Sequence, residues 1–135
     1  MVSGSTRAAS TNTALCRTAA VAAPAGVDVE TYLDVSVLPH FDPDDDREPL
    51  PPAVQQLTDK PVAWVKAAAD PRRGEGAHAT LATVLGYVQA RVVEDACRHV
   101  PVARESVGPD GLVADPAVHA GIADAITTLL TAAGR

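Results

Sequence analysis

Aromatic side chains are nearly missing from this sequence. One Trp, two Tyr and one Phe make up 3% of 135 residues, while hydrophobic residues as a class reach 47%. The interior must therefore be filled by Ala, Val and Leu. Each alanine removes little area from water, so burial stabilises such a core only modestly. The length fits a single domain spanning residues 1–135. A surplus of positive charge is also missing. The formal net charge is −6 and the pI is about 5.0, which argues against a nucleic-acid partner, since that needs a basic surface. No apolar stretch is long enough to span a bilayer, and no charged-then-apolar leader opens the chain. The expectation is a cytoplasmic protein with no membrane partner. Cysteine is scarce as well. Cys16 and Cys97 lie far apart without CxxC spacing and read as small buried hydrophobes in a reducing compartment. His40, His78, His99 and His119 form no HxxxH or Cys/His cluster, so no metal site is expected.

What is present alternates. Leu15, Ala19 and Ala22 recur at helical spacing after Asn12, and Pro24 to Gly26 stop that helix. "VDVETYLDV" suggests a strand, and "LPHFDPDDDREPLPP" reads as a proline- and aspartate-rich loop before a short helix start at "AVQQL". The acidic run Asp44 to Asp46 is most simply a solvated part of that loop. "PVAWV" is a continuous apolar run behind a proline, the pattern of a strand buried on both faces of a parallel sheet. Leu81, Val84, Leu85 and Val88 form a helical stripe near Tyr87. "ARVVEDA" and "HVPVA" read as a short strand with an extended tail, and "GPDG" as a turn. Val118, Ile122, Ile126 and Leu129 make a last amphipathic helix closed by Gly134. Helices alternating with apolar strands predict α/β architecture with a mostly parallel sheet.

The opening stretch "GSTRAASTN" carries the densest chemistry. A polar loop that runs straight into a helix presents backbone N–H groups at the positive end of the helix dipole, where phosphate binds. Ser5, Thr6 and Ser10 add hydroxyls, Asn12 an amide and Arg7 a forked cation. Gly4 permits close backbone approach. The plainer alternative is a polar terminus in which Ser10 or Thr11 caps the helix. The stretch is neither a Walker A loop nor a GxGxxG fingerprint.

This loop resembles the GSxRxxSxN phosphate loop of the NADPH-dependent FMN reductase family, a flavodoxin-like group that includes quinone, azo-dye and chromate reductases. "LDVSVLPHFDPDDD" with "PPAV" resembles the family's leucine-proline-aromatic-aspartate loop. "DKPVAWVKAA" resembles its fourth strand, and "GAHATLATVLGYVQARVVE" the helix and fifth strand that follow. The resemblance implies a flavodoxin-like, doubly wound parallel sheet in three layers. It further implies an FMN cofactor, NADPH as electron donor and a small-molecule electron acceptor such as a quinone or flavin. Ser5, Arg7, Ser10 and Asn12 would then hold the flavin phosphate, with Gly4 and Thr6 contributing backbone. No catalytic side chain is assigned, because in such enzymes the cofactor carries the hydride.

Two departures stand out. Only Met1, Val2 and Ser3 precede Gly4, where the family has a full apolar strand. "AVQQL" also passes directly to "TDKPVAWV" with no third strand and its loop, an internal deletion near residues 57–60. The fold is thus expected to be truncated. In the flavodoxin order, ligands settle between strands one and three, so the expectation is a weakened flavin site or one completed by another chain in a homo-oligomer. A non-catalytic remnant or interaction module is the alternative, and a small phosphate- or nucleotide-binding protein a third. Several residues remain open between site and scaffold. Arg72 and Arg73 could meet a nucleotide phosphate or form a solvated turn with Gly74 and Gly76. Trp64 reads as core rather than stacking platform. Lys66 ends the fourth strand toward the ligand edge, and Phe41 could join a dimer contact.

Overall fold

A computed structural model describes residues 1–5, 7, 9–33, 58–70, 72 and 75–134. Among these residues it is a mixed α/β arrangement of three α-helices and short parallel strands. Helix α1 spans Thr11–Ala22. Strands β1 (Pro61–Val62) and β2 (Val65–Lys66) lead into helix α2, Glu75–Tyr87. Strands β3 (Arg91–Val92) and β4 (Arg98–His99) flank a short 3-10 turn at Glu94–Ala96. Helix α3, Pro116–Ala132, follows.

The sequence explains the helix limits. Ser10 caps α1 by accepting from the Thr13 amide, and the chain turns away at Ala23 ahead of Pro24. Asp115 caps α3 through the Ala117 amide, Pro116 occupies the first turn, and Gly134 follows its end with φ +75°.

β1 pairs in parallel with β3, and β2 with β4, with α2 as the crossover between each pair. The β2–β4 pairing continues past the strands, through Val100 N–H to Lys66 O at 2.8 Å and Val102 N–H to Ala67 O at 3.0 Å. A separate parallel bridge joins Val2 to Tyr32, with Ser3 N–H donating to Tyr32 O at 2.9 Å. Among the described residues of "VDVETYLDV", this bridge alone stands where a strand is expected. The "GPDG" turn is present, closed by Gly111 N–H to Gly108 O at 2.9 Å.

Alternation along the strands sorts the side chains. Val65, Ala67, Val100 and Val102 face the core with Leu15 and Ala19 of α1 and Val118 and Ile122 of α3. Trp64, Lys66, Cys97 and His99 occupy the other parity and line a cavity beside His78 of α2. The expectation that "PVAWV" is buried on both faces is therefore corrected. Every residue of it is half-buried, on the core-facing parity of Val65 as well as on the cavity side of Trp64. The α2 stripe departs further. The helix forms, yet none of its residues is buried, and Tyr87 is 82% exposed. Residues 34–57, with Phe41, Asp44 to Asp46 and the expected "AVQQL" helix start, lie outside the described residues, as do Arg73 and Gly74.

Candidate functional site

The N-terminal loop leaves the Val2–Tyr32 bridge and enters α1 at once. A chain of hydroxyls fastens it to the helix. Ser3 Oγ lies 3.3 Å from Thr13 Oγ1 and Ser10 Oγ 2.9 Å from it, while Thr13 Oγ1 donates to Arg7 O at 3.4 Å. A hydroxyl has one proton and two lone pairs. With the Thr13 proton on Arg7 O, Thr13 Oγ1 accepts from both serines. Ser10 Oγ meanwhile accepts from Thr13 N–H at 3.0 Å. Ser10 is thus a buried cap whose proton is turned inward. Its neighbours Ser3 and Thr13 are buried too, and no buried side-chain polar atom among the described residues lacks a partner.

The outward groups are different ones. Arg7 and Asn12 are exposed, Ser5 is half-buried, and Gly4 has nothing within 4 Å of where a Cβ would stand. Ser5 Oγ accepts from Arg7 N–H at 3.2 Å, which leaves its own proton for another acceptor. The Thr11 and Asn12 amides come before the capped Thr13 amide, at the positive end of the helix. Thr6, the remaining expected member, lies outside the described residues. The loop carries an exposed guanidinium, an exposed carboxamide, a half-buried hydroxyl and helix-start amides, donor types suited to a phosphate. Neither cavity described below adjoins residues 4–12.

One cavity, of about 180 Å³, opens on the α2 side of the strands between Trp64, Lys66, His78, Cys97, Arg98 and His99. The Trp64 and His78 rings stack at 5.7 Å between centroids and 20° between planes. Burial lowers the His78 pKa below the ordinary imidazole value, and the charges of Lys66 and His99 lower it further. His99 Nε2 sits 2.6 Å from Ala68 O. A carbonyl only accepts, so Nε2 carries the proton. Arg98 reaches through the other face of the strand to Asp124 of α3, Nη2 to Oδ2 at 2.7 Å, and its Nη1 donates to the carbonyls of Asp95 and Cys97. A second cavity of about 160 Å³ lies at the start of α3 beside Val100, Val118 and Gly121.

Both cysteines are free thiols; Cys16 is buried and Cys97 half-buried, and burial raises the pKa of each. Arg72 is exposed and bonds through its amide to Asp70 Oδ1 at 2.9 Å, a solvated turn. Among the described residues, no three His, Cys, Asp or Glu side chains gather in a metal-binding arrangement. No helix of the described residues is long and apolar enough to cross a membrane.

Sequence reasoning missed the grouping around Trp64. Read as core, this residue instead forms one wall of a cavity. Trp64 with Lys66, and Cys97 with His99, each lie two residues apart on a strand, and that spacing alone puts each pair on one face. Parallel pairing of the two strands then makes the pairs neighbours. No model of a known protein family matches the chain, and no curated protein matches it.

Proposed function

We propose that the chain is an FMN-dependent NAD(P)H oxidoreductase of small electron acceptors, built on a truncated flavodoxin-like fold. The observation that carries this reading is the loop at residues 4–12. It leaves the carboxyl end of a parallel bridged segment, runs directly into a capped helix, and turns Arg7, Asn12 and the Ser5 hydroxyl outward. Two further features agree with it. The β2–α2–β4 unit is a parallel crossover, and α1 packs with α3 on the face of the strands opposite the cavity.

The residues present fit the phosphate end of FMN. Arg7 and the helix-start amides of Thr11 and Asn12 would neutralise and orient the dianion. Ser5 would add a hydroxyl donor, and Ser10 would hold the loop on the helix rather than touch the ligand. The chemistry supplied by a bound flavin is hydride uptake from a nicotinamide and delivery to a quinone-like acceptor. Neither cavity beside these strands includes a loop residue, and most burial of such a ligand comes from apolar, ring-facing walls. That observation favours a second reading, a remnant or interaction module that keeps the phosphate loop without turnover.

Titration of the purified chain with FMN, followed by NADPH consumption with a quinone acceptor, separates the two. Turnover that Arg7→Ala reduces about tenfold or more, the scale of one lost charge-assisted contact, supports the enzyme. A folded chain that neither retains flavin nor consumes NADPH overturns it in favour of the remnant.

A further inference from the structure

Helix α2 buries none of its residues, and its two ends are fastened differently. The C-terminal end is tied by backbone. Gln89, in the left-handed region at φ +56°, follows the helix, Ala90 N–H closes on Leu85 O at 2.9 Å, and Asp59 N–H donates to Gln89 O at 2.9 Å. The N-terminal end rests on a ring. His78, the fourth residue of α2, stacks on Trp64 between β1 and β2 at 5.7 Å between centroids.

The groups around that ring decide how it responds to protons. Among the described residues, the charged and titratable ones are Lys66 on β2, the Cys97 thiol before β4, Arg98 and His99 on β4, and Glu75 one turn earlier on α2 itself. Burial does most to lower the His78 pKa, and the charges of Lys66 and His99 lower it further. The π face of Trp64 attracts an imidazolium, yet a ring released to water escapes both the burial and the two charges. Docked α2 therefore holds fewer protons than α2 lifted from the strands.

We propose that α2 is a pH-sensitive flap: it pivots on its fixed C-terminal end, and protonation of His78 frees its N-terminal end from Trp64 and opens the cavity beneath. Proton linkage sets the window. Opening is independent of pH above 6.5, where the ring is neutral whether docked or free, rises as pH falls below that, and levels off beneath the lowered value. The core stays out of the motion. Val65, Ala67, Val100 and Val102 pack with α1 and α3 on the opposite face of the strands, so α2 opens without unfolding them. Elements with little buried surface open locally in this way. The device uses no residue of the loop at 4–12 and needs no flavin.

The chain has one tryptophan, so its emission reports the flap. Quenching by acrylamide, an uncharged probe, is measured from pH 8 to pH 5 on the full chain, beside amide hydrogen exchange corrected for its intrinsic pH dependence. In the wild type, the quenching constant and the exchange of α2 amides are expected to rise severalfold below pH 6.5, while the amides of Leu15, Ala19 and Ile122 keep their protection. His78→Phe keeps a ring on Trp64 but takes no proton, and is expected to stay closed at every pH. If circular dichroism shows that variant misfolded, His78→Gln replaces it, with access high and level across the range because the stack is gone. Wild-type quenching that ignores pH, a rise that persists in the folded variant, or core amides that lose protection together with α2 overturns the proposal.

Discussion

Helices α1 and α2 are nearly the same length, 12 and 13 residues, and the more apolar of the two is the less buried. Five of the twelve residues of α1 are polar, and Thr13 and Thr18 are among its six buried residues. α2 reads AHATLATVLGY along most of its length and buries none. The difference lies in what each helix meets. α1 packs small side chains, Ala14 and Ala19, against α3 and the inner face of the strands, and small residues let helices approach closely. It also satisfies its polar groups on the way in. Thr18 Oγ1 donates to Ala14 O at 2.9 Å and accepts from Val113 N–H at 3.0 Å. α2 lies over the other face, where Trp64 and His78 prop open a cavity. A stripe of Leu and Val states which face would gain by leaving water. The covering surface decides whether it does.

Core truncation is the strongest way to test that contrast. Ile122 is fully buried at the centre of the α1–α3 layer. Ile122→Ala should destabilise by about 2–5 kcal/mol, read from the midpoint of urea denaturation. Val84→Ala on α2, where the side chain is 51% exposed, should stay within about 0.5 kcal/mol. Equal losses at the two positions would mean that α2 is as firmly buried as α1. Thr18→Val comes next. It keeps the volume but orphans the buried Val113 amide, for a loss of about 1–3 kcal/mol. A neutral result would show that the hydroxyl bridge does not tie α1 to the segment before α3.

The smallest effect concerns pH. The folded-state pKa of His78 lies below its ordinary 6.5, so the unfolded chain binds more protons. Stability from this group is complete above pH 6.5 and is lost as pH falls toward the lowered value. The ring is only partly buried, so the slope is shallow. His78→Gln should flatten it in thermal melts between pH 7 and pH 5. An unchanged slope would remove His78 as the source.

Much of this was readable in the chain. Pro24, Pro116 and Gly134 mark helix boundaries through backbone constraint alone, which needs no neighbours to act. Leu15, Ala19, Val118 and Ile122 announce a core face by spacing. The parallel pairing of residues 61–67 with 91–102 agrees with the apolar strand signals. What spacing could not give was depth. "PVAWV" looks doubly buried because every residue is apolar, but a cavity opens beside Trp64 and the stretch stays half-buried. The expected phosphate loop divides in a similar way. Sequence counts Ser10 with Ser5, whereas cap geometry turns Ser10 inward and leaves Ser5 half-exposed. A donor's chemistry is local, but its direction depends on the turn it sits in.

The Thr18–Val113 bond joins residues 95 positions apart. During synthesis α1 therefore emerges long before α3, and its apolar side is covered only in part until α3 leaves the ribosome. A nascent chain in that interval exposes part of the Leu15 and Ala19 surface to whatever binds sticky surfaces, so chaperone occupancy should persist until α3 has emerged.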